Sequence, residues 1–199
     1  MEKNDFSELY VKTPQGIPAP HGLYDPSSEK DSCGVGLVAN IRGIASHKIL
    51  LDAYEINSRM DHRGGCGFEE NTGDGAGILT AIPHEFFRKI GKDFDIKIPN
   101  RGEYAVGNIF LPRCPSEQKL CKKEIEKVIK IEGQQFLMWR TVPIDPDTAN
   151  IGPAARAAMP LIEQLFIGRS GEINQSEFER VLYVIRKRFT KKLRTFEQL

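Results

Sequence analysis

Cys33-Gly34-Val35-Gly36-Leu37-Val38-Ala39-Asn40 is the stretch around which the rest of the sequence is read. Val35, Leu37, Ala39 and Ile41 alternate with Gly34, Gly36, Val38 and Asn40, the period-two pattern of a strand with one small-residue face. Glycine weakens a strand, so its use here points to close approach by another element. A single cysteine heads the run. The residues before it include Pro14, Pro18, Pro20 and Pro26 and hold no sustained period, so residues 1–32 read as an irregular leader. Cleavage between Ser32 and Cys33 would give the thiol its own α-amino group. That amine titrates near ~8 in model peptides and can act as a base beside the thiol. A nucleophile paired with an N-terminal amine is one way to activate a weak side chain. The competing reading is a small buried core cysteine, a common place for that residue.

The bulk numbers exclude several classes. At 199 residues the chain fits one domain with an extension and is long enough to bury a core. Lys+Arg 28 against Asp+Glu 27 argues against a nucleic-acid platform or a polybasic membrane anchor. No run approaches the ~18 apolar residues of a membrane span, and no signal-peptide core precedes Cys33. Cys33, Cys66, Cys114 and Cys121 form no CxxC pair and have no histidine at metal-ligand spacing, so neither a zinc site nor a disulfide framework is expected. Unpaired thiols fit a reducing cytoplasm.

Beyond the glycine-spaced run, Arg42-Gly43 turns the chain. Ser46 is placed to cap a helix to about Met60, with Ile49, Leu50, Ala53, Ile56 and Met60 on one side and Gly64-Gly65 suited to its end. Asn71–Gly77 is a glycine-rich loop feeding Ile78–Ile82, a second short strand, and Pro83 opens a helix through Phe86 and Phe87. Glu103–Leu111 and Gln135–Val142 read as strands around a helix capped by Ser116, whose Cys121, Ile125, Val128 and Ile129 share a face. Leu161–Ile167 is extended and apolar. Ser176 with Glu179 reads as a capping box for a helix carrying Phe178, Val181, Leu182, Ile185 and Phe189. Strands with helices between and after them favour α+β.

Arg63 lies thirty positions after Cys33, beyond the first helix. A returning helix would bring it over the start of the run, where its guanidinium offers a planar fork for a carboxylate and a positive field that favours thiolate. The competing reading is an ordinary surface arginine at a helix end.

CGVGLVAN, SHKI, MDHRGG, NTGDGAGI and IPHEFF, taken in order, resemble the start of the large chain of glutamate synthase, its class II glutamine amidotransferase domain. GLYDPSSEKDS resembles the family's propeptide, and VPIDPDTANIGPAARAAMPLIEQLFI continues the likeness. Other class II amidotransferases, those making amino sugars or purines, lack the long leader and the TGDGAGI–IPHEFF continuation. The resemblance implies an N-terminal-nucleophile hydrolase fold, an αββα sandwich incomplete in this chain. Residues 1–32 would be the leader and 33–199 the N-terminal part of the amidotransferase domain. Cys33 would be the catalytic nucleophile and Arg63 a substrate-binding residue. Glutamine would yield glutamate and ammonia through a Cys33 thioester, the ammonia aminating 2-oxoglutarate in the complete enzyme. Gly73, Gly75 and Gly77 would let the loop turn tightly near the site, with Asp74 capping or orienting it.

The resemblance also has gaps. In the family the glutamine carboxylate and ammonium are held by residues further along; its Asn-Gly oxyanion stretch, of the AHNGE kind, does not occur in these residues, and an oxyanion donor is worth ~100–1,000-fold in rate. FMN and an iron–sulfur cluster are expected only in downstream domains, so Cys66, Cys114 and Cys121 are not cluster ligands. Expected partners are glutamine, the remainder of the large chain, and a small electron-transfer subunit or ferredoxin, with no nucleic acid and no membrane. The alternative is an inert or partner-dependent piece. On either reading, Leu161–Ile167 and the Phe178–Phe189 face are expected to be left partly exposed.

Overall fold

The computed structural model describes residues 20–23, 25, 33–65, 69, 71–73 and 75–196. The expected leader therefore lies almost wholly outside the described residues, as do Cys66 and Asp74. The chain divides into two compact units, one of residues up to Ala81 together with Pro146–Ala157, the other of Ile82–Asp145 with Ala158 onward. No helix among the described residues is long and apolar enough to cross a membrane.

The second unit is an α+β layer structure. Helix α2 (His84–Asp93) is followed by β1 (Tyr104–Leu111), α3 (Pro115–Ile131), β2 (Gln135–Thr141), β3 (Leu161–Gly168) and α5 (Gln175–Phe196). The three strands form one antiparallel sheet in the order β1-β3-β2, so the last strand is central. Tyr104 pairs with Gly168 and Leu111 with Leu161 on one edge; Gln135 pairs with Gly168 and Thr141 with Glu163 on the other. Strand alternation then sorts the β3 side chains to opposite faces. Leu165 and Ile167 pack with Ile125, Val128 and Ile129 of α3 and Phe178 and Ile185 of α5. Phe166 points the other way, onto Phe87, Ile98, Tyr104 and Met138. Burying an aromatic or aliphatic side chain of this size contributes about 1.5–3 kcal/mol.

The expectation of exposed packing here holds only in part: Leu161, Ile162, Val181, Leu182 and Phe189 are half-buried, while the centre is covered. Phe166 is 0% and Phe178 1% exposed, because α3, α5 and α2 cover both faces of the central strand. Apolar residues are left in water in both units, among them Val35 at 93% and Leu37 at 89% in the first and Phe110 at 67% in the second. Glu163 shares the β3 face of Leu165 and is also buried. It accepts a 2.5 Å hydrogen bond from Lys122 of α3, and the Lys122 ammonium lies 5.4 Å from the Trp139 ring centre. An ion pair so enclosed holds because both charges stay partnered.

Three local expectations need correction. Cys33–Ile41 and Ile78–Ile82 carry no sheet ladder among the described residues; their alternation is real, but a strand needs a paired neighbour and neither has one there. Helix α3 begins at Pro115 with Cys114 at the cap, two residues before Ser116, because proline suits the first helical position. The capping box of α5 is Asn174 with Glu177, not Ser176 with Glu179. Glu177 N–H donates to Asn174 Oδ1 at 3.0 Å, and Asn174 N–H donates to Glu177 Oε2 at 2.8 Å. Both pairs have the required spacing of three; asparagine wins as the earlier strong cap.

The Cys114 thiol lies 3.0 Å from the Ser116 hydroxyl. That hydrogen bond, then the backbone N–H groups of Glu117 and Ser116, hold the thiol pKa below its ordinary 9.0. Alkylation of Cys114 should therefore show a pH midpoint below that of an ordinary thiol, and Ser116→Ala should move the midpoint up. An unchanged profile on peptide-resolved iodoacetamide labelling would show that the cap does not act on the thiol. Asn174→Ala should cost about 1 kcal/mol in denaturant unfolding and Ser176→Ala only a few tenths, as a lost cap does. The reverse order would restore the Ser176 box.

Candidate functional site

The first unit contains both residues singled out for chemistry. Asn40 turns the chain after the glycine-spaced run: its Oδ1 accepts from Arg42 N–H at 2.9 Å, and its carbonyl accepts from Gly43 N–H at 2.9 Å. Helix α1 (His47–Arg59) then runs back along the segment, with Ser46 at its cap position but making no side-chain cap bond. Two exposed pairs, Lys48–Asp52 and Arg59–Glu55, support it at the i, i+4 spacing. The helix ends in a 3₁₀ turn, Asp61–Arg63, closed by Arg63 N–H to Met60 C=O at 2.8 Å. Gly64 follows at φ −87, so its lack of a side chain is not needed for the backbone there.

The glycines of the run are needed for contact. A Cβ placed on Gly34 would meet Met60 Sδ at 2.8 Å and Arg63 Cβ at 3.4 Å. One on Gly36 would overlap Ile56 Cγ2 and lie 2.8 Å from Met60 Cε. The segment thus lies flat against the end of α1, antiparallel to it, with Gly34 beside the 3₁₀ turn. Cys33 is next in the chain, an exposed thiol, and Arg63 is exposed too. The returning helix inferred from sequence is the element that brings Arg63 to the start of the run.

A second set of contacts was not anticipated. Six residues beyond Arg63, the Glu69 carboxylate accepts from Ala154 N–H at 2.6 Å and Ala155 N–H at 3.2 Å. These are first-turn donors of the short helix α4 (Pro153–Ala158), which lack helical acceptors of their own. Thr72 Oγ1 accepts from Gly152 N–H at 2.7 Å, and Asn71 Nδ2 donates to Asn150 C=O at 2.6 Å. Arg156 pairs with Asp147 at 2.9 Å and donates to Pro146 C=O at 3.1 Å, closing the turn before α4. The Ala154 N–H above all, with those of Ala155 and the Thr72 hydroxyl, holds the Glu69 carboxyl below the usual carboxylate range, against a smaller opposing effect of burial. A Cβ on Gly152 would overlap that carboxylate. The local signal was the Gly152-Pro153 start of a helix, which calls for an acceptor; nothing in the sequence names Glu69 as that acceptor.

The other glycines behave differently from expectation. A Cβ on Gly75 or Gly77 would meet nothing within 4 Å, and neither has a positive φ, so the backbone here does not require glycine at either position. No three histidine, cysteine or acidic side chains among the described residues converge to hold a metal ion. Chemically, the unit offers a thiol with a guanidinium-bearing turn packed beside it.

Comparison with known proteins places this geometry in a family. The model of class II glutamine amidotransferases matches residues 33–198. The chain is 42% identical over 172 residues to the glutamate synthase [NADPH] large chain of Bacillus subtilis, covering 86% of this chain and 11% of that one. It is 40% identical over 194 residues to the glutamate synthase [NADH] of Saccharomyces cerevisiae, covering 92% and 9%. It is 37% identical over 182 residues to the ferredoxin-dependent glutamate synthase 1 of Arabidopsis thaliana, covering 91% and 11%. The chain spans about a tenth of the length of these relatives. The matched span opens on the cysteine and runs through every described strand and helix, so the chain belongs to the class II glutamine amidotransferases.

Proposed function

We propose that residues 33–199 are the N-terminal part of the glutamine-hydrolysing domain of a glutamate synthase, with Cys33 as nucleophile and Arg63 as a substrate-binding residue beside it. The observation that carries this reading is that the family match opens on Cys33, whose neighbour Gly34 lies against Arg63. Removal of residues 1–32 by peptide hydrolysis frees the Cys33 α-amine. That amine takes the thiol proton as the sulfur attacks the side-chain amide carbon of glutamine. The C–N bond breaks, the nitrogen leaves as ammonia with the transferred proton, and a γ-glutamyl thioester remains. Water then cleaves the thioester, returning the thiol and releasing glutamate.

In the complete enzyme the ammonia aminates 2-oxoglutarate. FMN and iron–sulfur chemistry would belong to other domains of the complete enzyme. A small electron-transfer subunit or ferredoxin would be the electron partner, and the exposed Cys33 and Cys114 thiols suit a reducing cytoplasm. For the fold we propose the αββα sandwich of N-terminal-nucleophile hydrolases. The β1-β3-β2 sheet with α3 and α5 on one face supplies one sheet and one helical layer of it. The oxyanion donors would come from an Asn-Gly pair outside these residues.

Two outcomes are expected. Full-length protein purified from its native host should begin at Cys33 on N-terminal sequencing and intact mass; full glutaminase activity in a chain that retains residues 1–32 would refute the activation scheme. In the full-length protein, Cys33→Ser should abolish glutamate formation from glutamine while leaving formation from ammonium intact. Arg63→Lys should raise the KM for glutamine by roughly 10–100-fold, the worth of a charge-assisted hydrogen bond of about 1.5–3 kcal/mol. Cys66→Ser, Cys114→Ser and Cys121→Ser should stay within a few-fold. Glutamine activity surviving Cys33→Ser but lost in another cysteine variant would move the nucleophile elsewhere.

A further inference from the structure

We infer that the outer sides of α3 and α5 form a docking surface for an acidic polypeptide supplied by a separate chain. From Arg180 to Arg194, α5 carries seven arginines and lysines and no acid. Arg180, Lys187, Lys191 and Arg194 stand seven, four and three apart, so they share one side of the helix, and all are exposed. The pattern recurs on α3, where Lys119, Lys123, Lys127 and Lys130 stand four, four and three apart and are exposed as well. Both helices pack on the same face of the sheet. The acids of this region are turned inward. Lys192 donates to Glu124 and Arg188 to Glu132, pairs that tie α3 to an antiparallel α5, and Trp139 Nε1 donates to Glu126 at 2.8 Å. Even Glu124 feels the outer row. The Lys192 hydrogen bond above all, with the charges of Lys127 and Lys123, holds its carboxyl below the usual range against an opposing effect of burial.

A surface that only keeps a helix in water mixes both signs, whereas a single sign sets up a field that draws in the other. The single sign also has a cost here, since like charges four apart on a helix repel, as Lys119, Lys123 and Lys127 do. The α5 row runs about 20 Å along its helix, and packed helix axes stand roughly 8–10 Å apart. A small anion cannot reach across that span; an extended chain of about six residues can. What stands among the cations selects a polypeptide over other polyanions. Tyr183 and Val184 are exposed on α5, and Leu120 and Ile131 on α3. Isolated apolar side chains between charges suit a protein partner, which has apolar groups to set against them. A phosphate backbone has none, and the Tyr183 ring is not open for stacking on a base. Arg186 and Lys187 already lie 5.3 and 5.6 Å from its centre. An anionic membrane would call for one continuous apolar stripe, and these four residues are dispersed over two helices.

The test uses the full-length protein and a fluorescein-labelled peptide of about ten residues, glutamates with two leucines, followed by fluorescence polarisation. The peptide should bind, and raising the ionic strength from about 0.05 to about 0.5 M should weaken binding about tenfold or more. Lys123→Glu, Lys127→Glu and Lys187→Glu together should weaken it at least 30-fold, because like charge then replaces attraction across the contact, an effect of about that size or larger. Lys→Gln at the same three positions, the milder set should the reversal not fold, should weaken it roughly tenfold. The same reversal of charge on α2, at the exposed Lys89, Lys92 and nearby Lys97, should cost less than about threefold, since α2 covers the other face of the sheet. Acetic anhydride should modify Lys123, Lys127 and Lys187 in the protein alone, and the peptide should protect them. Absence of peptide binding, or an equal loss in the α2 variant, overturns the inference. So does tighter binding of duplex DNA of about 20 base pairs or of vesicles with about 30% phosphatidylserine, which would assign the surface to another polyanion. Lysines already protected without peptide would assign it to the protein's own packing and overturn the inference too. Each of these outcomes leaves the amidotransferase reading, tested through Cys33, where it stands.

Discussion

The candidate site depends on one close approach, that of Gly34 and Gly36 to the end of α1. At Gly36 even a methyl group would overlap Ile56, and at Gly34 it would press on Met60 and Arg63. Glycine is costly in an extended segment, because it gives up more conformational freedom than any other residue. Here the absence of two side chains lets the backbone next to Cys33 lie on the 3₁₀ turn that carries Arg63. The contact is cheap in chain closure as well: the reversal from Asn40 through α1 joins residues only thirty apart, and its turn is stapled by Asn40 itself.

The Glu69 contacts are a different kind of constraint. They join segments some 80 residues apart, so their closure cost is higher and more must be gained locally to hold them. What they gain is the mutual satisfaction of groups that would otherwise need water: N–H donors at a helix start and a carboxylate whose pKa those donors depress. A carboxyl with a folded pKa below its unfolded value contributes stability above the unfolded value and loses it as pH falls through the folded one. The contact is therefore fully formed at neutral pH and is released only in acid below the ordinary carboxylate range.

How much of this was legible in the sequence follows from the range of each interaction. The β1, β2 and β3 strands and the core face of α5 were legible because period and composition are local, and Leu165, Phe166, Phe178 and Ile185 all occupy the core. The capping box was legible as a motif but two residues out, since Asn174–Glu177 and Ser176–Glu179 have the same spacing. The glycines at Cys33–Ile41 announced close approach by another element, and Gly34 and Gly36 do lie against the end of α1. Alternation carried no information on whether a paired strand lies alongside, and the ladder expected there is missing from the described residues. Glu69 was invisible for the reason its contacts are expensive: its partners are remote in sequence, and a lone acidic residue in a glycine-rich loop looks like solvent-facing charge.

The cysteines show why chemistry has to be argued from position and not from acidity alone. Cys114 has the more acidic character that is often sought in a nucleophile, and a helix cap supplies its cause. Yet the groups that lower its pKa are Ser116 and the first backbone N–H groups of its own helix, all within three residues. Those groups all come from the start of one helix, and none of them is drawn from a separate part of the chain. Cys33 differs in what lies beside it. Its neighbour packs against a turn thirty residues on that bears a guanidinium, and the family match starts at its own position. A perturbed pKa marks a functional site only when it coincides with groups converging from separate parts of the chain. The approach of Gly34 to the turn that carries Arg63 is what supports the proposal of Cys33, rather than Cys114, as the nucleophile.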